Sequence, residues 1–210
     1  ALVLYSSIQQ LYVAIRKHGS PLHLTFSLAS LAIVGTVIGN IILVNSDSVK
    51  GLIDATRIRI IFVALSTAIL PWFTSYYSGF RPRLFMIAYS ALTMIFLAVR
   101  LTHPLFLTYS AFLDPGTMTL PWNETIAVFN AHSNSWQVVY YVIGLTSLAF
   151  MYVSAAYQFS RGERGRAVAL AASVTLLLGF IINDVVLVLN DIQWILLGDF
   201  GWLAMIILLG

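Results

Sequence analysis

Long apolar runs, closed off by short polar turns, decide what this chain can fold into. A bilayer's hydrocarbon core takes about 20 apolar residues to cross as a helix. At that depth each backbone N–H and C=O must be satisfied within the structure, which favours helices. The 210-residue chain is 60% hydrophobic and 9% charged, where a soluble domain has about 25% charged residues. The expectation is an all-α membrane protein, a bundle of seven transmembrane helices. Its spans fall at approximately 1–15, 22–44, 52–77, 84–101, 136–159, 166–189 and 193–210.

The flanks mark these segments. Gly19-Ser20-Pro21 breaks the first from the second, and Asn45-Ser46-Asp47-Ser48 is a polar turn. Gly35 and Gly39 set a small-residue spacing that lets neighbouring helices approach closely. Pro71 lies inside the third segment, where it is expected to kink the helix. Tyr89, Thr93, Phe96 and Arg100 recur on one face of the fourth. The one long connection, Thr102 to Ser135, is broken by Pro104, Pro115, Gly116 and Pro121. Within it, Pro121 to Phe129 reads as a short amphipathic helix lying on the membrane surface. Ala1 to Ile15 is shorter than a full span, and Gly210 stands inside an apolar run. The sequence is therefore expected to be one part of a longer protein.

Lys and Arg concentrate in cytoplasmic loops. The turns after segments one, three and five carry Arg16, Lys17, Arg81, Arg83, Arg161, Arg164 and Arg166, opposed only by Glu163. That asymmetry puts the N-terminus outside and the C-terminus inside, with the 102–135 connection extracytoplasmic. The localisation expected is a cell inner (plasma) membrane, with membrane lipids as partners and no nucleic acid.

Ionisable residues inside apolar runs are costly, and by default they are functional or paired. Asp184, preceded by Asn183, sits late in the sixth segment, and Asp199 early in the seventh. Arg57, Arg59 and Arg100 sit at the outer ends of the third and fourth segments, and Asn40 at the outer end of the second. All fall in the outer half of the bundle, where cations and acids can neutralise one another. Asp54 is placed to pair with Arg57 three residues on. Arg57 and Arg59 are about 200° apart around a helix, so only one faces the core. The ligand-binding candidates are Asn40, Arg57, Arg59, Tyr89, Phe96, Arg100, Trp122, Asn183, Asp184 and Asp199. An arginine among them could grip an anionic group bidentately. The competing reading is a structural network that fixes helix register.

Other chemistries find little footing. The chain has no cysteine, which removes disulfides and thiol chemistry. A retinal Schiff base needs a lysine amine, and Lys17 and Lys50 both stand at loops. His103 and His132 lie in the outer connection at a spacing that matches no metal-ligand pattern. No catalytic residues, metal or cofactor are expected. The inner halves of segments six and seven, 167–178 and 204–209, offer only Ser173 and Thr175 as polar residues. That disfavours a conduit, the alternative reading being a small-solute transporter or channel subunit.

Several stretches together resemble the seven-helix N-terminal input regions of bacterial membrane sensor proteins. These are the turn from Arg16 to Leu22, the third-helix end Leu70-Pro71-Trp72-Phe73, and Thr102-His103-Pro104-Leu105 opening the outer loop. The last are Ile182-Asn183-Asp184-Val185 and the stretch from Leu197 to Ala204. Such regions are fused to histidine kinase, PAS or diguanylate cyclase modules. The resemblance implies a homodimeric receptor that senses a small-molecule ligand and drives a covalently linked cytoplasmic output domain. The chain itself carries no enzyme signature, so it is expected to be no enzyme.

Overall fold

The computed structural model describes residues 2–16, 19–46, 48–103, 106–107, 109–112, 116–119, 123, 125–128, 131–189 and 198–209. Among these, seven helices form the bundle: α1 (Leu2–Arg16), α2 (Pro21–Val44), α3 (Val49–Ser78), α4 (Arg83–Thr102), α5 (Trp136–Ser160), α6 (Arg164–Leu189) and α7 (Gly198–Leu209). Five of them, α2 to α6, are long and apolar enough to cross a membrane. The chain is thus of multi-pass membrane type. At about 1.5 Å per residue, the 15 residues of α1 and the 12 of α7 reach less far.

The helix ends follow local chemistry. Ser48 caps α3, its Oγ accepting from the Gly51 N–H at 3.1 Å. Gly79 closes α3 in the left-handed conformation at φ 76°, donating its N–H to the Ser75 carbonyl. Pro71 lies within α3, which runs as one helix across it. Beside it, Trp72 Nε1 donates to Ser90 Oγ at 2.9 Å, and Ser90 Oγ donates to the Ala68 carbonyl at 3.0 Å. This hydrogen-bonded pair ties α3 to α4 at the proline, where the helix lacks one N–H of its own.

The long connection differs from its expected form. Its described residues carry four short strands: β1 (Tyr109–Phe112), β2 (Gly116–Thr119), β3 (Thr125–Val128) and β4 (Ala131–Ser133). β2 pairs antiparallel with β3, and β1 with β4, so one hairpin nests inside the other pair. The amphipathic helix expected over 121–129 is therefore replaced by β3. Asn123 explains part of this, because its φ of 64° is left-handed and would interrupt such a helix. Thr125, Ile126 and Val128 are β-branched, and a partner strand stands ready at 116–119.

Without a hydrophobic force between helices in lipid, close packing and small residues hold the bundle. α3 is central, packing against α2, α4 and α5. α6 bridges α5 and α7, and α7 returns to α2 and α1. A Cβ on Gly39 would stand 3.0 Å from the Arg59 backbone nitrogen, and one on Gly35 would overlap the Phe62 ring. The expected Gly35–Gly39 spacing is thus the seam between α2 and α3. The main core lies between α2, α3, α5, α6 and α7, around Ile33, Leu70, Phe73, Met151, Leu177 and Met205.

Candidate functional site

The expected polar residues gather at the end of the bundle that bears the long connection, in two groups. The first centres on Phe106. Its side chain is buried with Ile60 and Leu97, between the ends of α3 and α4. Arg100, 7% exposed, donates from Nε to the Phe106 carbonyl at 3.3 Å. Its guanidinium lies 5.1 Å from the centroid of the Tyr140 ring on α5 and 5.9 Å from that of Phe96. A buried cation between two aromatic faces recovers part of its lost hydration. Arg57 stands on the other side, 6.0 Å from the Phe106 ring and 3.7 Å from Asp54. The Asp54–Arg57 pair is the one expected from their spacing. Both partners are half exposed, so the pair adds little stability.

Phe106 and Leu107 hold φ values of 52° and 60°, a conformation that costs a non-glycine residue about 1–2 kcal/mol. The surroundings enforce it. Arg100 takes the Phe106 carbonyl, and Asn134 Nδ2 donates to the Leu107 carbonyl at 2.7 Å. The start and end of the connection are thereby pinned together over α4 and α5.

The second group joins α6 to α7. Asp184, half-buried, accepts the Gly198 N–H on Oδ2 at 2.8 Å, and Asn183 Nδ2 approaches its Oδ1 at 3.4 Å. The first N–H groups of a helix have no intrahelical partner and attract negative charge. Asp184 therefore caps α7 from a neighbouring helix. Gly198 makes room for this, since a Cβ there would meet Oδ2 at 2.7 Å.

The remaining candidates take separate places. Of the two close arginines, Arg59 is the inward one, half-buried where α3 meets Gly39, while Arg57 is exposed. Asn40 is half-buried near the end of α2. Tyr89, buried, donates to the Ile143 carbonyl of α5 at 2.9 Å and lies deeper in the bundle than Arg100. Phe96 is half-buried. Trp122 falls outside the described residues, as does the side chain of Asp199, whose backbone opens α7.

A second set of polar groups is buried on α2, α3 and α5, outside the α6 and α7 stretches that offer few polar side chains. Several buried hydroxyls here bond the carbonyl four residues back, as Thr36, Thr93 and Ser173 do. Ser30 on α2, Thr74 on α3 and Ser154 on α5 have buried oxygens with no hydrogen-bond partner. Gln158 on α5 donates Nε2 to the Tyr77 carbonyl at 2.9 Å, leaving a buried Oε1 without a partner. Such groups are costly when unsatisfied and commonly hold water. The expectation weighed only α6 and α7, whereas these groups belong to α2, α3 and α5. Ser147 and Ser154 on α5, and Thr67 and Thr74 on α3, each stand seven residues apart on one helix face, which was the signal available.

Comparison with protein-family models, curated proteins and solved structures finds no match to the chain.

Proposed function

We propose that this is the membrane input domain of a signal receptor. In this reading a small ligand is sensed at the end of the bundle that carries the connection. A shift of α6 against α7 then passes to a cytoplasmic signalling module of histidine kinase or diguanylate cyclase type. The observation that carries the reading is the Asp184–Gly198 contact. It is one carboxylate-to-backbone link between two helices, at the same end where Arg100 pins the connection. A ligand that binds differently when that link is made or broken would bias the packing of α7. Arg100 has a structural duty at Phe106, so its part is to couple the connection to the helices rather than to stand open for an anion.

The test uses the intact protein. Asp184→Ala removes the acceptor for the α7 N-terminus and is expected to cost about 0.5–2 kcal/mol of stability. Asp184→Asn keeps an acceptor and is expected to cost less. Gly198→Ala should act like Asp184→Ala, because its methyl displaces the carboxylate. Thermal unfolding in detergent checks the ranking. Phosphorylation or cyclic-dinucleotide output of the intact protein should then change in basal level in the same order. Output unchanged in all three variants, at normal expression, would overturn the receptor reading.

The buried, unsatisfied hydroxyls on α2, α3 and α5 favour a second reading, a small-solute conduit. Solute uptake into vesicles reconstituted with the purified protein, lost on Ser154→Ala and Thr74→Val together, would support it over the first.

A further inference from the structure

A groove runs along the outside of α5 and α6. Near the basic turn it is lined by Tyr152, Ala155 and Phe159 of α5 and Ala167, Val168 and Ala171 of α6, with a volume of about 410 Å³. Further along α6 lies a separate apolar hollow of about 600 Å³, lined by α6 residues that include Thr175, Gly179 and Phe180. From Ala167 to Phe180 the two extend about 20 Å along the helix axis. Small side chains keep it open, and α6 is the least covered of the five long helices, with 22% of its apolar window buried.

Charge stands at one mouth of this groove. The turn from α5 to α6 carries Arg161, Arg164 and Arg166 against the single acid Glu163, and all four are exposed. Glu163 is bound by Arg166 at 3.1 Å. The guanidinium of Arg164 lies 5.6 Å from the centroid of Phe159, which itself lines the groove. That of Arg161 lies 5.7 Å from the centroid of Tyr157 and donates to the Tyr157 hydroxyl at 3.3 Å. The Phe159 contact holds the Arg164 fork at the groove mouth, Arg161 stands in the same turn, and both keep most of their N–H donors for an anion. A guanidinium fork matches a phosphate bidentately.

We propose that the α5–α6 groove and the arginines at its mouth form a binding site for an anionic phospholipid. An acyl chain lies in the apolar groove, and Arg161 and Arg164 hold the headgroup phosphate. A second copy of the chain fits this face less well. Two copies in one membrane share an orientation, so pairing through α6 would set their basic turns against each other. An anionic headgroup neutralises the same charge. Both parts of the site are distinct from the Arg100 and Asp184 groups, and the proposal holds whether or not the receptor reading does.

The experiment is native mass spectrometry of the detergent-purified protein, titrated with phosphatidylglycerol or phosphatidylcholine. The wild-type chain should retain one phosphatidylglycerol with about tenfold preference over phosphatidylcholine, a margin that two interfacial arginines can supply. Arg161→Gln with Arg164→Gln should abolish the preference. Arg81→Gln with Arg83→Gln, at the same end but away from the groove, should leave it in place. Ala171→Leu should reduce retention of the lipid by filling the groove. Equal retention of the two lipids by the wild-type chain overturns the site without recourse to any variant. So does an equal loss of preference in both arginine pairs, which would mark general surface charge. A dimer that Ala171→Leu dissociates would assign the groove to a second helix instead.

Discussion

Gly39 is the residue at which a single methyl group says most about this fold. Its absent side chain lets α2 sit on the backbone of Arg59, with 3.0 Å between a Cβ there and the nitrogen. Backbone cannot swing aside as a flexible side chain can. Gly39→Ile should therefore force α2 and α3 apart and cost about 1–3 kcal/mol. Gly144→Ala on α5 is the matched control, because a Cβ there meets nothing within 4 Å. Thermal unfolding in detergent should show a clear loss for the first and little change for the second. The seam was legible in the sequence because small residues at a four-residue spacing have one physical use in an apolar helix. The role of Asp184 was not legible in the same way. Its charge was conspicuous, and side-chain reasoning looks for an arginine. The contact at 2.8 Å is a backbone N–H, that of Gly198, which every sequence contains and none advertises.

Among the elements, the connection is tied to the helices at its start by Arg100. Arg100 fixes Phe106 in a left-handed conformation, and Phe106 in turn fills the gap between α3 and α4. Arg100→Gln keeps a donor but loses the two ring contacts, and Phe106→Ala leaves Arg100 its carbonyl but empties the gap. Both should loosen residues 103–135 while the helices persist. Limited proteolysis of the purified protein should cut the connection at least several-fold faster in each variant, with circular dichroism unchanged. Equal cutting rates would mean that Asn134 and the strand pairs hold the connection without Arg100. The helices were readable because each long apolar run admits little else, and the observed bounds of α2 to α6 follow the expected ones within a few residues. The strands were not readable, because β3 exists by pairing with β2 across a turn at Asn123. The spacing of Trp122, Ile126 and Phe129 fits a helix equally well, and only the partner decides between them.

At the scale of the whole molecule, charge separates the two ends of the bundle. Short turns make consecutive helices antiparallel neighbours, so the turns at 19–20, 79–82 and 161–163 share an end. Five arginines there each lie against an aromatic ring: Arg16 on Tyr12, Arg81 on Tyr76, Arg161 on Tyr157, Arg164 on Phe159 and Arg166 on Tyr77. Aromatic rings with basic groups belong at a membrane–water interface. The opposite end mixes Arg57, Arg59 and Arg100 with Asp54 and Asp184, beside the strand pairs of the connection. By the positive-inside rule the basic end should face the cytoplasm. Whether α1 and α7 cross fully does not alter this, since the three basic turns adjoin the five long helices in either case. The chain has no cysteine, so single replacements report position without background. Gly162→Cys in the α5–α6 turn should resist a membrane-impermeant maleimide applied to intact cells, and react once they are permeabilised. Ser135→Cys, exposed before α5, should react in both conditions. The reverse pattern would turn the molecule over. The connection and the Arg100 group would then face the cytoplasm, and the α5–α6 groove would open to the outer leaflet.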